Sequence, residues 1–184
     1  MLSMFCAVLL GACSTSYPVC ETTAAAPAAA VGDIATGYGL GAGDRVRVTV
    51  FRHPDLSGEF QIDGGGSLAL PLVGDIDAAG LNSRQLEQRI GDRLKEESYL
   101  VEPRVAVEVL TYRPFYILGE VNRPGEYEYT NNMTVTNAVA VAGGYTYRAD
   151  SSDMLIRRGD CVVPADVTTK VLPGEVVIVP ERFF

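Results

Sequence analysis

Residues 115–144 read FYILGEVNRPGEYEYTNNMTVTNAVAVAGG. Phe115 to Leu118 is a short apolar run of strand-forming residues. Pro124-Gly125 fits the centre of a type II turn, with Pro setting φ and Gly accepting φ > 0. Tyr127 to Thr130 continues the hairpin. Thr134 stands at the N-cap of a short apolar helix, Val135 to Ala142, and Gly143-Gly144 stops it. Downstream, Met154 to Arg158 reads as a strand. Pro173-Gly174 makes another turn, Val176 to Val179 is a strand, and Pro180 ends it.

Strand–strand–helix–strand–strand over residues 113–184 suits a β-grasp-like unit. The chain lacks the long βαβ alternation of a doubly wound nucleotide-binding sheet. Upstream, Arg45 to Val50 alternates polar and apolar residues, the pattern of a half-buried strand. Glu59 to Ile62 and Ser67 to Leu72 flank Asp63-Gly64-Gly65-Gly66 and predict a hairpin. Asn82 is placed to cap a helix, with Gln85 reaching back as in a capping box and Leu81 and Leu86 as a staple. Leu86, Ile90 and Leu94 then share one helical face. Val105, Val107 and Val109 alternate again. The fold class expected is α+β, in two small mixed domains, residues 35–112 and 113–184.

The chain has 184 residues, a net charge of −8, one His and no Trp. Its 47% apolar content is enough for a buried core. No basic patch or stripe appears, which argues against nucleic acid as a partner. The scarcity of His leaves little room for His-based metal sites or a Ser-His-Asp apparatus. No catalytic, metal or cofactor site is assigned.

Residues 1–12, MLSMFCAVLLGA, are apolar and too short to span a bilayer. They suit the core of a secretory signal, although no Lys or Arg precedes them. Leu10-Gly11-Ala12-Cys13 resembles the bacterial lipobox, in which the Cys thiol is diacylated and the new amine acylated after cleavage. The lipidation site expected is Cys13, and Ser14, not Asp, follows it, which points to the outer membrane. Residues 13–34, rich in Ala, Thr, Ser and Pro, read as a tether. Cys20 and Cys161 are then left as a possible disulfide in an oxidising periplasm, with free thiols or intermolecular pairing as alternatives.

Other motifs carry little chemistry. Gly37-Tyr38-Gly39-Leu40-Gly41-Ala42-Gly43 precedes a strand, so it reads as a strand-entry turn and not as a phosphate loop. His53, in Phe51-Arg52-His53-Pro54, stands alone after a strand and reads as a loop residue. Asp75 and Asp77 share one face and could serve acid–base chemistry, the basis of a hydrolase reading. Asn132-Met133-Thr134 matches a glycosylation sequon, but Thr134 already has a capping role. Tyr112, Tyr116, Tyr127, Tyr129, Tyr145 and Tyr147 could stack sugars or fill strand faces equally well.

Taken in order, several phrases resemble the bacterial outer-membrane polysaccharide export lipoproteins of the Wza type. Tyr38-x-Leu40-x-x-Gly43-Asp44-x-Val46-x-Val48 is similar to the opening of their export domain. Leu70-Pro71-Leu72-Val73-Gly74-x-Ile76, Gly80-Leu81 and Pro103-x-Val105-x-Val107 are similar to its middle and end. Gly119-Glu120-Val121-x-x-Pro124-Gly125-x-Tyr127, Ala142-Gly143-Gly144, Pro173-Gly174-Glu175 and Val179-Pro180-Glu181-Arg182-Phe183 resemble an SLBB domain, a soluble-ligand-binding β-grasp unit.

The resemblance implies export of capsular or extracellular polysaccharide through a homo-oligomeric ring, commonly an octamer, with no bond made or broken. It implies an inner-membrane polysaccharide copolymerase as partner and a place on the outer membrane, lipid-anchored and facing the periplasm. Members with an outer-membrane pore carry a C-terminal amphipathic helix, whereas this sequence stops at Phe184. The expectation is therefore a short, periplasmic member handing polymer to a separate channel. The alternative is an envelope lipoprotein that binds soluble sugar or peptidoglycan through its β-grasp domain.

Overall fold

A computed structural model of the chain describes residues 38–182. The leader at 1–12, the tether at 13–34, Cys13 and Cys20 lie outside the described residues. Strand β1 (Arg45–Val50) buries Val46, Val48 and Val50 and exposes the residues between them, as its alternation predicts. It is the middle strand of an antiparallel sheet ordered β2-β1-β5, with β2 (Gly58–Gln61) and β5 (Val105–Thr111) at its sides. Strands β3 (Ser67–Leu70) and β4 (Gly74–Asp77) form a separate two-stranded ladder.

The hairpin expected around Asp63-Gly64-Gly65-Gly66 is not one. The turn closes, because the Asp63 carboxylate accepts from the N–H groups of Gly65 (2.9 Å) and Ser67 (2.8 Å). The strands on its two sides then part: β2 pairs with β1 and β3 with β4. Alternation identifies a strand and its buried face, but not its partner.

Helix α1 (Ser83–Glu96) begins with the expected capping box: Asn82 accepts from the Gln85 N–H, and Gln85 from the Asn82 N–H. Leu86, Ile90 and Leu94 are at most 1% exposed and face one core with Val46, Val48, Leu68 and Ile76. Truncating any of the three to Ala costs about 2–5 kcal/mol.

The second core lies under a five-stranded sheet ordered β7-β6-β10-β8-β9. Its strands are β6 (Phe115–Gly119), β7 (Gly125–Tyr127), β8 (Met154–Arg158), β9 (Cys161–Ala165) and β10 (Val176–Val179). Strand β10 runs parallel to β6 and antiparallel to β8, inserted between the two hairpins, which is the β-grasp arrangement. Helix α2 (Val135–Val141) is capped by Thr134 and Asn137 and buries Val135, Ala138 and Val139. Gly119 is required where β6 meets β10: its φ is +91°, and a Cβ there would lie 2.0 Å from the Val179 carbonyl oxygen.

Two sequence expectations differ here. Gly125 is not in a positive-φ conformation; it begins β7, opposite Ile117. The preceding loop does not close on itself as a type II turn. Its N–H groups at Asn122 and Arg123 donate to the carbonyls of Gly144 (3.0 Å) and Ala142 (2.9 Å), at the end of α2. Pro164 interrupts the sequence pattern of strand β9, and an edge strand is where proline is tolerated.

Candidate functional site

The two cores meet at the segment that joins them. Tyr112 packs against both, and Pro114 precedes β6. Asp44, immediately before β1, is completely buried. A carboxylate out of water is costly unless donors surround it. Here the Gly41 N–H donates to Oδ2 at 2.8 Å and the Arg113 N–H to Oδ1 at 2.7 Å. The Tyr38 hydroxyl donates to Oδ2 at 2.8 Å and to Oδ1 at 3.1 Å. Burial, then the hydrogen bond and charge of Asp44, push the Tyr38 phenol well above its ordinary range. The Tyr38 hydroxyl therefore keeps its proton and acts as a donor to Asp44.

Aromatic rings continue the contact across the junction. Tyr38 meets Tyr112 edge to face at 5.0 Å between centroids, and Tyr112 meets Tyr129 at 5.5 Å. The Arg113 guanidinium lies 5.5 Å from the Tyr38 ring centroid, and its Nε donates to the Pro173 carbonyl at 3.1 Å. The slot for this side chain exists because two residues lack a Cβ. At Gly41 a Cβ would lie 1.6 Å from Arg113 Nη1, and at Gly174 it would lie 2.7 Å from Nε. Gly174, with φ +81°, also makes the turn that the sequence predicts after Pro173. Next to it, Glu175 is 3% exposed, accepts from the Leu172 N–H at 2.8 Å, and pairs with Arg158. The arrangement ties one domain to the other.

The residues singled out in the sequence lie elsewhere. Asp75 and Asp77 are exposed on β4 on either side of the buried Ile76. They line a groove of about 370 Å³ with Arg89, Asp92, Arg93 and Glu96 of α1, so guanidiniums share the groove with the carboxylates. His53 sits in the loop after β1, where its N–H donates to the Val50 carbonyl at 3.0 Å. The Gly-rich run ends in the turn into β1, closed by the Asp44 N–H donating to the Gly41 carbonyl at 3.1 Å. Cys161 opens β9 and is disulfide-bonded.

Among the tyrosines, Tyr112 and Tyr129 belong to the junction. Tyr127 stacks on Phe115 and donates to the Arg123 carbonyl at 2.6 Å, and Tyr145 donates to Met154 Sδ. Tyr116 and Tyr147 are exposed. Among the described residues there is no cluster suited to a metal ion, and no helix is long and apolar enough to cross a membrane.

In the sequence, Arg113 carries no signal of its own, and Tyr38 and Asp44 stand out only as part of a family-like phrase. One local signal is available: a charged residue at the mouth of a half-buried strand, preceded by a glycine run, needs donors from close backbone when it is buried.

Comparison with known proteins agrees with this architecture. Residues 33–110 match the family described as polysaccharide biosynthesis/export protein, and residues 114–164 match the SLBB domain. The exopolysaccharide production protein ExoF of Rhizobium meliloti (strain 1021) is 37% identical over 131 residues, 65% of this chain and 31% of the relative. The polysialic acid transport protein KpsD of Escherichia coli is 30% identical over 128 residues, 68% of this chain and 23% of the relative. The EPS I polysaccharide export outer membrane protein EpsA of Ralstonia nicotianae (strain ATCC BAA-1114 / GMI1000) is 29% identical over 152 residues, 68% of this chain and 39% of the relative. The chain thus spans well under half the length of these relatives. With its export domain followed by an SLBB domain, the chain belongs to the bacterial polysaccharide export family.

Proposed function

We propose that the chain is an envelope component of a machine exporting capsular or extracellular polysaccharide, and that its copies close into a ring passing polymer without chemistry. The observation that carries the reading is the order of the two domains together with the buried network between them. A closed ring needs the same angle at every protomer, because an angular error is repeated at each contact. A fully donor-satisfied Asp44 and an Arg113 held between Gly41 and Gly174 supply that constancy.

In the same reading Cys13 carries the lipid anchor on the outer membrane, facing the periplasm, and Cys20 is the partner of Cys161. An inner-membrane polysaccharide copolymerase delivers the polymer. The domains extend over residues 35–112 and 113–184.

The test is surface polysaccharide in a deletion strain, complemented by the wild type and by Cys13→Ala. Loss on deletion, with restoration by the wild type only, supports export and the anchor together. Restoration by both keeps export and removes the need for the anchor. Unchanged polymer on deletion overturns the reading.

A further inference from the structure

The end of β1 opposite Asp44 exposes side chains that folding alone does not call for. Phe51 is 58% exposed and Val101 is 92% exposed. Together with Arg52, His53, Glu102 and Arg104 they line an open groove of about 540 Å³, within the size range of small-ligand sites. The two loops are held together by the Phe51 N–H donating to the Arg104 carbonyl at 2.9 Å. Arg52 has φ +64°, a left-handed conformation that costs a non-glycine residue energy, and its guanidinium lies 5.2 Å from the Phe51 ring centroid. The groove thus carries an aromatic ring and two guanidiniums against a single lining carboxylate, on a chain whose net charge is −8.

We propose that this groove is a contact site for carboxylate-bearing sugar residues, of the uronic-acid kind, in the polymer. The inference rests on the export reading and deepens it. A pyranose offers an apolar C–H face, equatorial hydroxyls and, in a uronic acid, a planar carboxylate. The ring of Phe51 and the side chain of Val101 suit the first. His53 and Glu102 supply hydrogen-bonding groups for the second. Arg52 and Arg104 offer forked donors matched to the third. The rest of an acidic chain repels such a polymer, so the contact is local, weak and salt-sensitive. That suits cargo that has to move on.

The experiment titrates the isotopically labelled full chain with tetragalacturonate and, separately, with neutral maltotetraose, following backbone amides by NMR. The expected result is saturable, salt-sensitive movement of the amides at 51–53 and 101–104 with tetragalacturonate only. Arg52→Ala/Arg104→Ala should weaken it about tenfold or more, as loss of a charge-assisted contact implies. Arg52→Lys/Arg104→Lys, which keeps the charges but not the forks, should fall between. No response, an equal response to both sugars, or an unchanged response in the double-alanine variant overturns the proposal.

A complementation arm separates this from failure of the export reading. Where the wild type restores surface polymer, full restoration by Phe51→Ala/Arg52→Ala/Arg104→Ala overturns the groove and leaves export standing. Failure of that folded variant supports the groove. If the wild type itself does not restore polymer, the export reading falls, and the titration alone decides the groove.

Discussion

Strands β1 and β5 lie side by side, and their two ends are built on opposite terms. At one end Asp44 and Arg113 meet at 2.7 Å inside a closed cage of donors and rings. At the other, Phe51 and Arg104 are joined by a single backbone hydrogen bond of 2.9 Å, with side chains facing water. The same ladder carries both, so the difference is not one of scaffold. The first end surrounds a buried carboxylate with donors, and its product is geometry. The second leaves apolar and cationic groups without such cover, and its product is contact. Stability should therefore be concentrated at the first end and spare at the second.

The largest break comes from Asp44→Ala. It removes the acceptor for the Tyr38 hydroxyl and for the N–H groups of Gly41 and Arg113. Stranding buried donors is among the costlier single changes, and about 3–5 kcal/mol is expected. At about 2–4 °C per kcal/mol for a chain of this size, thermal unfolding should drop by on the order of 10 °C. A loss no larger than that of an exposed substitution would show that the cage does not govern the junction. Gly41→Ala should do less. The added Cβ meets the far end of a flexible side chain, Arg113 Nη1, which can move. About 1–2 kcal/mol is expected, with the hydrogen bond to Pro173 lost. Denaturant unfolding of the two variants side by side gives the ranking.

Alkaline titration sharpens the same contrast. The Tyr38 phenol has its pKa raised in the folded chain above the model-compound value of 10.0. The unfolded chain therefore releases this proton first, and the stability it represents is complete below pH 10 and lost as pH rises beyond it. Tyr38→Phe should be less stable than the wild type at neutral pH, where it lacks the bond to Asp44. The gap should narrow above pH 10. Melting temperature against pH for the two proteins checks this, and a constant gap would count against it.

Much of this molecule is legible in the sequence because its signals are local. Asn82 with Gln85, and Thr134 as a cap, announce their helices through hydrogen bonds that span one turn. Val46, Val48 and Val50 announce a strand with one buried face. What could not be read depends on distant pairing. Strands β2 and β3 adjoin in sequence yet part in space, and Gly125 is extended because its loop bonds to α2 instead of to itself. The junction was least legible of all. Asp44 and Arg113 are 69 residues apart, and nothing in either neighbourhood names the other. The open groove is half legible: the phrase Phe51-Arg52-His53-Pro54 shows its histidine in a loop after a strand, whereas the exposure of Phe51 and the nearness of Arg104 come only with the fold.

The smallest expected effect on stability belongs to the open end. Arg52 holds a left-handed backbone, φ +64°, that glycine adopts at no steric cost. Arg52→Gly removes the crowding of Cβ but gives the unfolded chain more freedom, and the two nearly offset. Stability should stay within about 1 kcal/mol of the wild type, on either side, while binding of tetragalacturonate weakens. At the junction every disruptive change should cost stability; here the fold should tolerate the loss, and only the contact should suffer. Paired unfolding and titration of this one variant decide the matter. A destabilisation comparable to that of Asp44→Ala would mean that Arg52 supports the fold, and the contrast between the two ends of β1 would have to be given up.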